Sequence, residues 1–240
     1  MKKILISIMI IATFAATSIS AFAATDKTAA HAQTANTAAA SSAVQEDVYS
    51  GKKTLYNPDG SLASVIETWA DSKTHNKRVD FLEPIKGTDT LQRTGGAYVL
   101  DSGAKYIKVT ADAQGKLTGS VFNGSPSQFS NMMACEKQAY INEYKEGTRR
   151  SGWKDKGTVK AADGTKLKKL SRTDNSTTPG EKTIENVYLD KNSGLPVKGD
   201  ISMKKNGVTS LVYTYVYTFD NVSNDGSLFD TSGITLKICK

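Results

Sequence analysis

Leu211–Phe219 reads LVYTYVYTF. Leu211, Tyr213, Tyr215, Tyr217 and Phe219 fall on one side of a two-residue period, with Val212, Thr214, Val216 and Thr218 on the other. Aromatic and β-branched residues alternating in this way suit a pleated strand. Just upstream, Leu195, Val197, Ile201 and Met203 interleave with Lys198, Asp200, Ser202 and Lys204. That pattern gives a strand with one dry and one wet face. Asn206-Gly207, between the two, supplies the positive φ angles of a tight hairpin. Further back, Ile184–Leu189 runs into the turn cluster Asp190–Gly194. Residues 183–222 are therefore predicted as a three-stranded antiparallel meander ending in an aromatic stripe.

The same grammar extends outward. Tyr49–Tyr56 and Leu62–Ala70 flank Asn57-Pro58-Asp59-Gly60, which has Pro and Gly where a turn needs them. Asn76–Leu82 reads as a strand ending at Pro84. Gly96–Leu100 and Lys105–Thr110 flank Asp101-Ser102-Gly103, and Lys116–Phe122 follows Gln114-Gly115. Lys156–Ala161 and Thr165–Thr173 make another hairpin, and Ile234–Cys239 a last short strand. One segment departs from this pattern. Ser125-Pro126-Ser127-Gln128 has the form of a capping box. Phe129, Met133, Tyr140 and Tyr144 then recur at helical spacing, Met132, Cys135 and Ala139 lie beside them, and Gly147 stands at a C-cap position. One amphipathic helix is predicted over Pro126–Glu146. The fold class that follows is mainly β: a curved antiparallel sheet of roughly ten strands forming a half-open barrel, covered by one long helix.

The start of the chain reads as an export signal. Lys2 and Lys3 precede an apolar run from Ile4 to Ala16, and Ala21-Phe22-Ala23 offers small residues for cleavage before Ala24. The run is shorter than the ~20 residues of a spanning helix, so no transmembrane span is expected after cleavage. Residues 24–47, almost all Ala, Thr, Ser, Gln and Asn, read as a flexible tether, and residues 48–240 as the folded domain. Losing two lysines with residues 1–23 lowers the formal charge from +7 to +5. The lysines and arginines are scattered among Asp and Glu, which argues against nucleic acid as a partner. An exported monomer, extracellular, periplasmic or associated with the cell envelope, is expected.

Catalytic constellations are absent from the pattern. His31 lies in the tether and His75 in a polar turn, so no histidine pair for zinc and no histidine-based triad is formed. Ser-x-x-Lys occurs four times in a Ser/Lys-rich chain, which is the frequency of chance. Asn221, Ser223, Asp225 and Gly226 echo half of a calcium loop, but its twelfth position is Ser232 rather than a bidentate Glu. No cofactor, no metal and no enzyme are expected. Cys135 and Cys239, the only cysteines, are a candidate disulfide in an exported chain. The bridge would close a loop of about 100 residues and stabilise by up to ~4–5 kcal/mol. The alternative is two separate thiols.

Ser64–Phe81 (SVIETWADSKTHNKRVDF), Arg93–Val109 (RTGGAYVLDSGAKYIKV) and Val187–Ser202 (VYLDKNSGLPVKGDIS) follow one another in an order that resembles the LolA-like superfamily. Its members are exported lipoprotein-carrier and sigma-factor-regulator-like domains. The Asp-x-x-x-Gly-Leu-Pro turn at Asp190–Pro196 and the closing Asp-Gly-Ser-Leu-Phe at Asp225–Phe229 carry most of the resemblance. Where such domains begin with an amphipathic helix, this chain has the Ala/Thr/Ser-rich tether. The resemblance implies helix over an apolar cavity. Phe129, Met132, Met133 and Tyr140 from the helix, with Leu211, Tyr213, Tyr215, Tyr217 and Phe219 from the sheet, would line it. Two functions stay open at this point. One is a binding module holding a lipid, a lipoprotein acyl chain or another apolar ligand. The other is an envelope regulatory or scaffolding domain with a filled barrel and a protein partner.

Overall fold

Among the described residues, the two-residue alternation produces twelve strands in one sheet. The computed structural model describes residues 48–88, 90–144, 152–175 and 178–239. The export signal, the tether, His31, and the expected helix end at Glu146 with its Gly147 cap lie outside the described residues. The strands are β1 (Val48–Tyr56), β2 (Leu62–Asp71), β3 (Lys77–Pro84), β4 (Leu91–Leu100), β5 (Lys105–Ala111) and β6 (Leu117–Asn123). A second series comprises β7 (Lys154–Lys160), β8 (Lys166–Asn175), β9 (Glu181–Asp190), β10 (Pro196–Lys205), β11 (Val208–Val222) and β12 (Thr235–Ile238). Their order is β12-β6-β5-β4-β3-β2-β1-β11-β10-β9-β8-β7. Each neighbouring pair is antiparallel except β12, which runs parallel to β6. The sheet is curved and open, with β12 and β7 as its edges, so the barrel is not closed.

Local chemistry places the turns. Asn206 and Gly207 have φ of 51° and 83°, the double positive φ of a two-residue hairpin loop. Asp190 Oδ1 accepts from the Asn192 and Ser193 amides at 3.0 and 2.7 Å, fixing the β9–β10 turn.

The segment 125–144 covers one face of the sheet, called the inner face below. Met133 and Cys135 pack there against Ala70, Val79, Ala97 and Val99. On the outer face, Tyr98, Ile107, Val109 and Val121 are covered by Ile234 of the C-terminal segment. Strand β4 is thus buried on both sides, which explains why its residues 95–99 lack an apolar/polar alternation. Arg78 fastens the outer cover: its Nη1 donates to Leu228 O at 2.8 Å while Nη2 pairs with Asp80 at 2.6 Å.

The long helix is the main correction. Among the described residues only α1 (Lys137–Glu143) is α-helical, and residues 125–136 make a chain of tight turns. The capping box does form in part, since Gln128 Oε1 accepts from the Ser125 amide at 3.0 Å. It caps nothing longer because Ser127 has φ of 65°, outside the right-handed helical region. The Ser127 and Phe129 amides donate instead to Ser102 O and Gly103 O, tying the segment to the β4–β5 turn. Tertiary hydrogen bonds replaced the helical ladder.

The candidate disulfide is also corrected. Both cysteines are free thiols. Cys135 is fully buried on the inner face with its thiol 4.0 Å from Arg78 O of β3, whereas the Cys239 amide donates to Val121 O of β6. Three strand spacings separate β3 from β6, on the order of 14 Å. A bridge needs Cα atoms within about 7 Å.

Gly199 of β10 sits opposite Tyr215 of β11. A Cβ there would fall 2.5 Å from the Tyr215 hydroxyl and 2.6 Å from the Asn186 carbonyl oxygen. The buried ring lies where a side chain would be. Gly199→Ala should therefore destabilise the protein by about 1–3 kcal/mol in urea unfolding, with the slope unchanged.

Candidate functional site

The inner face carries a continuous aromatic layer. Tyr215, Tyr217 and Phe219 of β11 share it with Tyr49 of β1, which pairs in register with Asn221. Phe219 stacks on Tyr217 at 5.7 Å and on Tyr49 at 5.7 Å. Tyr140 of α1 stands edge-on to Phe219 at 4.9 Å and to Tyr217 at 6.1 Å, geometries that aromatic quadrupoles favour. Gly51, opposite Phe219, makes the approach of Tyr140 feasible: a Cβ there would lie 3.0 Å from the Tyr140 hydroxyl. That hydroxyl shares a 2.8 Å hydrogen bond with Thr68, and Thr68 Oγ1 donates to Gly51 O at 3.0 Å. The Tyr144 and Tyr217 hydroxyls pair at 3.3 Å. Burial pushes the phenols of Tyr140, Tyr144 and Tyr217 above their ordinary range, so all three remain neutral.

A lysine holds the cover in place. Lys77 of β3 is 6% exposed, and its ammonium donates to Ser130 O at 2.6 Å and Met133 O at 2.9 Å. It also pairs with Glu136 at 2.5 Å. Two irregular carbonyls that a helix would have satisfied internally are met by one charged donor. Beside it, burial pushes the Cys135 thiol up to about 12.

Charge is also buried beneath α1. Glu185 of β9 is 1% exposed and accepts from Arg172 Nη2 at 2.8 Å and from the Tyr215 hydroxyl at 3.2 Å. The Arg172 guanidinium lies 4.9 Å over the Trp153 ring and pairs through Nε with Asp174 at 2.8 Å. The Lys53 ammonium sits 3.8 Å over the Tyr215 ring. Burial lowers Lys53 to about 8, opposed by the negative charges of Glu185 and Glu143. Glu143, on α1, is raised by burial, with Arg172 and Lys53 acting against the shift. Sequence reading missed this cluster because Lys53, Arg172 and Glu185 each look like ordinary polar alternation. A face with both buried signs shows only after β1, β8 and β9 are aligned. Glu185 is committed to Arg172 and Tyr215, which ill suits it to proton transfer. No cluster of three or more His, Cys, Asp or Glu residues fit to hold a metal occurs among the described residues.

The residues expected to line a cavity fare differently. Tyr140 and Tyr215 are buried and Tyr217 and Phe219 partly so within this layer, whereas Met133, buried, and Phe129, partly so, belong to the neighbouring cluster over β2–β5. Phe129 packs on Tyr106 with ring centres 6.0 Å apart. Met132 is 43% exposed, so it does not face the core. Tyr213 pairs with Ile201 just before a β10–β11 register shift and Leu211 lies beyond it; both are half-buried. An open cleft of about 300 Å³ lies at the edge of the layer, lined by Tyr49, Ala70, Ser72, Glu136, Lys137, Gln138 and Asn221. The Tyr49 hydroxyl is buried without a hydrogen-bond partner, and burial raises it to about 12.

No family model matches the chain, and no curated protein does. Among solved structures, MucB in complex with MucA(peri) aligns at 13% identity and a TM-score of 0.39, covering 79% of this chain and 56% of that one. The Pseudomonas aeruginosa MucA/MucB complex aligns at 15% and 0.38, covering 79% and 59%. A DUF1329 family protein from Desulfovibrio piger aligns at 13% and 0.24, covering 78% and 90%. This chain thus spans under two thirds of the length of the MucB chains. Scores this low carry no property of those proteins to it.

Two outcomes are expected. Lys77→Met leaves the Ser130 and Met133 carbonyls unpaired and should cost about 2–3 kcal/mol, with faster amide exchange across 129–144 by mass spectrometry. Lys53 is depressed in the folded state, so the unfolded chain binds more protons between its folded value of about 8 and its unfolded value. The Lys53 contribution to stability should rise across that window, whereas below pH 8 its buried charge is a constant penalty. Comparing melting temperature against pH for the protein and for Lys53→Met should show this rise lost in the variant.

Proposed function

We propose that this chain is an exported, non-enzymatic binding module that acts on a protein partner, with the inner face of its sheet filled by its own cover. One observation carries the reading. Met133, Tyr140, Tyr144 and Tyr215 are between 1% and 8% exposed, and the rings among them make contacts with one another or with sheet residues. The side chains that would embrace an apolar guest already embrace each other. The remaining cleft, lined by Tyr49, Ala70, Ser72, Glu136, Lys137, Gln138 and Asn221, is open at the edge of the layer rather than enclosed beneath the cover. Export rests on residues 1–23. Among the described residues no helix is long and apolar enough to cross a membrane.

The apolar-ligand reading requires the cover to leave. Titration of the protein with a fluorescent fatty acid distinguishes the two. The filled-face reading predicts no saturable binding at concentrations up to about 10 µM. Saturable one-to-one binding in that range, weakened by Met133→Trp or Tyr215→Trp with the circular-dichroism spectrum intact, would establish the carrier reading instead.

A further inference from the structure

The outer face of the sheet is covered over β3–β6 by the C-terminal segment, whereas the hydrophobic cluster of β8 and β9 lies on the opposite face, with Tyr144 and Trp153. On the outer face the charges are arranged in rows. Lys169, Tyr188 and Lys198 are register partners across β8, β9 and β10, with the two ammoniums 5.4 and 5.8 Å from the Tyr188 ring centre. Six residues along β9, about 20 Å away, Lys182 stands directly opposite Lys204. Like charges facing each other across strands are destabilising, and no salt bridge to any of these four lysines is found among the described residues.

The nearby carboxylates make hydrogen bonds of their own. Asp200, 4% exposed, accepts from Asn186 Nδ2 at 2.5 Å and from the Tyr188 hydroxyl at 3.2 Å. Asp190 is used by its own turn, and Asp163 accepts from the Thr165 amide at 2.9 Å while its exposed charge acts on Lys198 from the β7–β8 turn, leaving Lys169, Lys182 and Lys204 as the rest of the rows. Asp200 therefore anchors Tyr188 as a fixed aromatic platform between two cations, and contributes no exposed negative charge.

We propose that the outer face of β8–β10 is a docking surface for an acidic segment of a partner protein; the proposal rests on the reading above that the partner is a protein. Carboxylates along such a segment would answer the two lysine rows, while Tyr188 between them takes an apolar side chain. A lipid surface fits less well. Adjacent strands twist by roughly 20–25°, which turns the two rows out of a common plane.

The test is fluorescence anisotropy of labelled poly-L-glutamate with the whole protein at low salt, beside sedimentation with phosphatidylcholine:phosphatidylglycerol vesicles. Poly-L-glutamate should bind, lose affinity as salt rises, and bind about tenfold or more weakly to Lys169→Glu/Lys198→Glu. Lys108→Glu/Lys116→Glu, on the other half of the sheet, should leave binding unchanged. Lys198 is exposed, so Lys198→Glu alone serves if the double variant fails to fold. No binding, equal loss in both pairs of variants, or binding to vesicles but not to polyglutamate overturns the proposal. Fatty-acid binding at the inner face would instead refute the functional reading above, whatever polyglutamate does.

Discussion

The structure depends on one non-local pairing. β1 joins β11 over nine registered positions, from Val48 with Val222 to Tyr56 with Thr214. The two strands are separated by most of the chain, so this closure must overcome a long loop's entropy before any local gain supports it. It fuses the meander of β2–β6 to that of β7–β11. It also sets which side chains share a face: Tyr49 meets Phe219, and Lys53 meets Tyr215. A one-residue slip in this register would turn the aromatic stripe to the outer face.

Once that face exists, its shape decides what covers it. Gly51 and Gly199 remove side chains where rings must approach, and the rings fill the space. The cover adapts by abandoning helix. Over residues 125–136 it makes turns whose carbonyls are met by Lys77 and whose amides reach the β4–β5 turn. A buried ammonium is costly in isolation, but here three oxygens surround it. The cost of breaking such a set exceeds the value of any single bond, which makes the path of the cover specific.

The two halves of the sheet divide the work. Over β3–β6 both faces are covered and Arg78, Asp80 and Arg93 are bound into the outer packing. Over β8–β10 the inner face is covered, with Arg172 and Glu185 beneath α1, and the outer face carries Lys169 and Lys198 around Tyr188 with no salt bridge to either among the described residues.

The sequence alone determined the strands and turns. Leu211–Phe219 alternates because one side of a pleat is dry, and Asn206-Gly207 turns because both residues accept positive φ; neither depends on distant residues. It also determined most of the side chains of the cover that face inward, Phe129, Met133, Tyr140 and Tyr144, but not Met132, which the turns of 125–136 leave 43% exposed. Only the tertiary structure decided the rest. The capping box at Ser125 predicted a long helix, but hydrogen bonds to Ser102, Gly103 and Lys77 outweighed the local ladder. Cys135 and Cys239 looked like partners until strand order placed one over β3 and the other beside β6. The charge cluster of Lys53, Arg172 and Glu185, and the opposed Lys182 and Lys204, depend on register between strands. Register is a relation between positions far apart in sequence, and no local pattern encodes it.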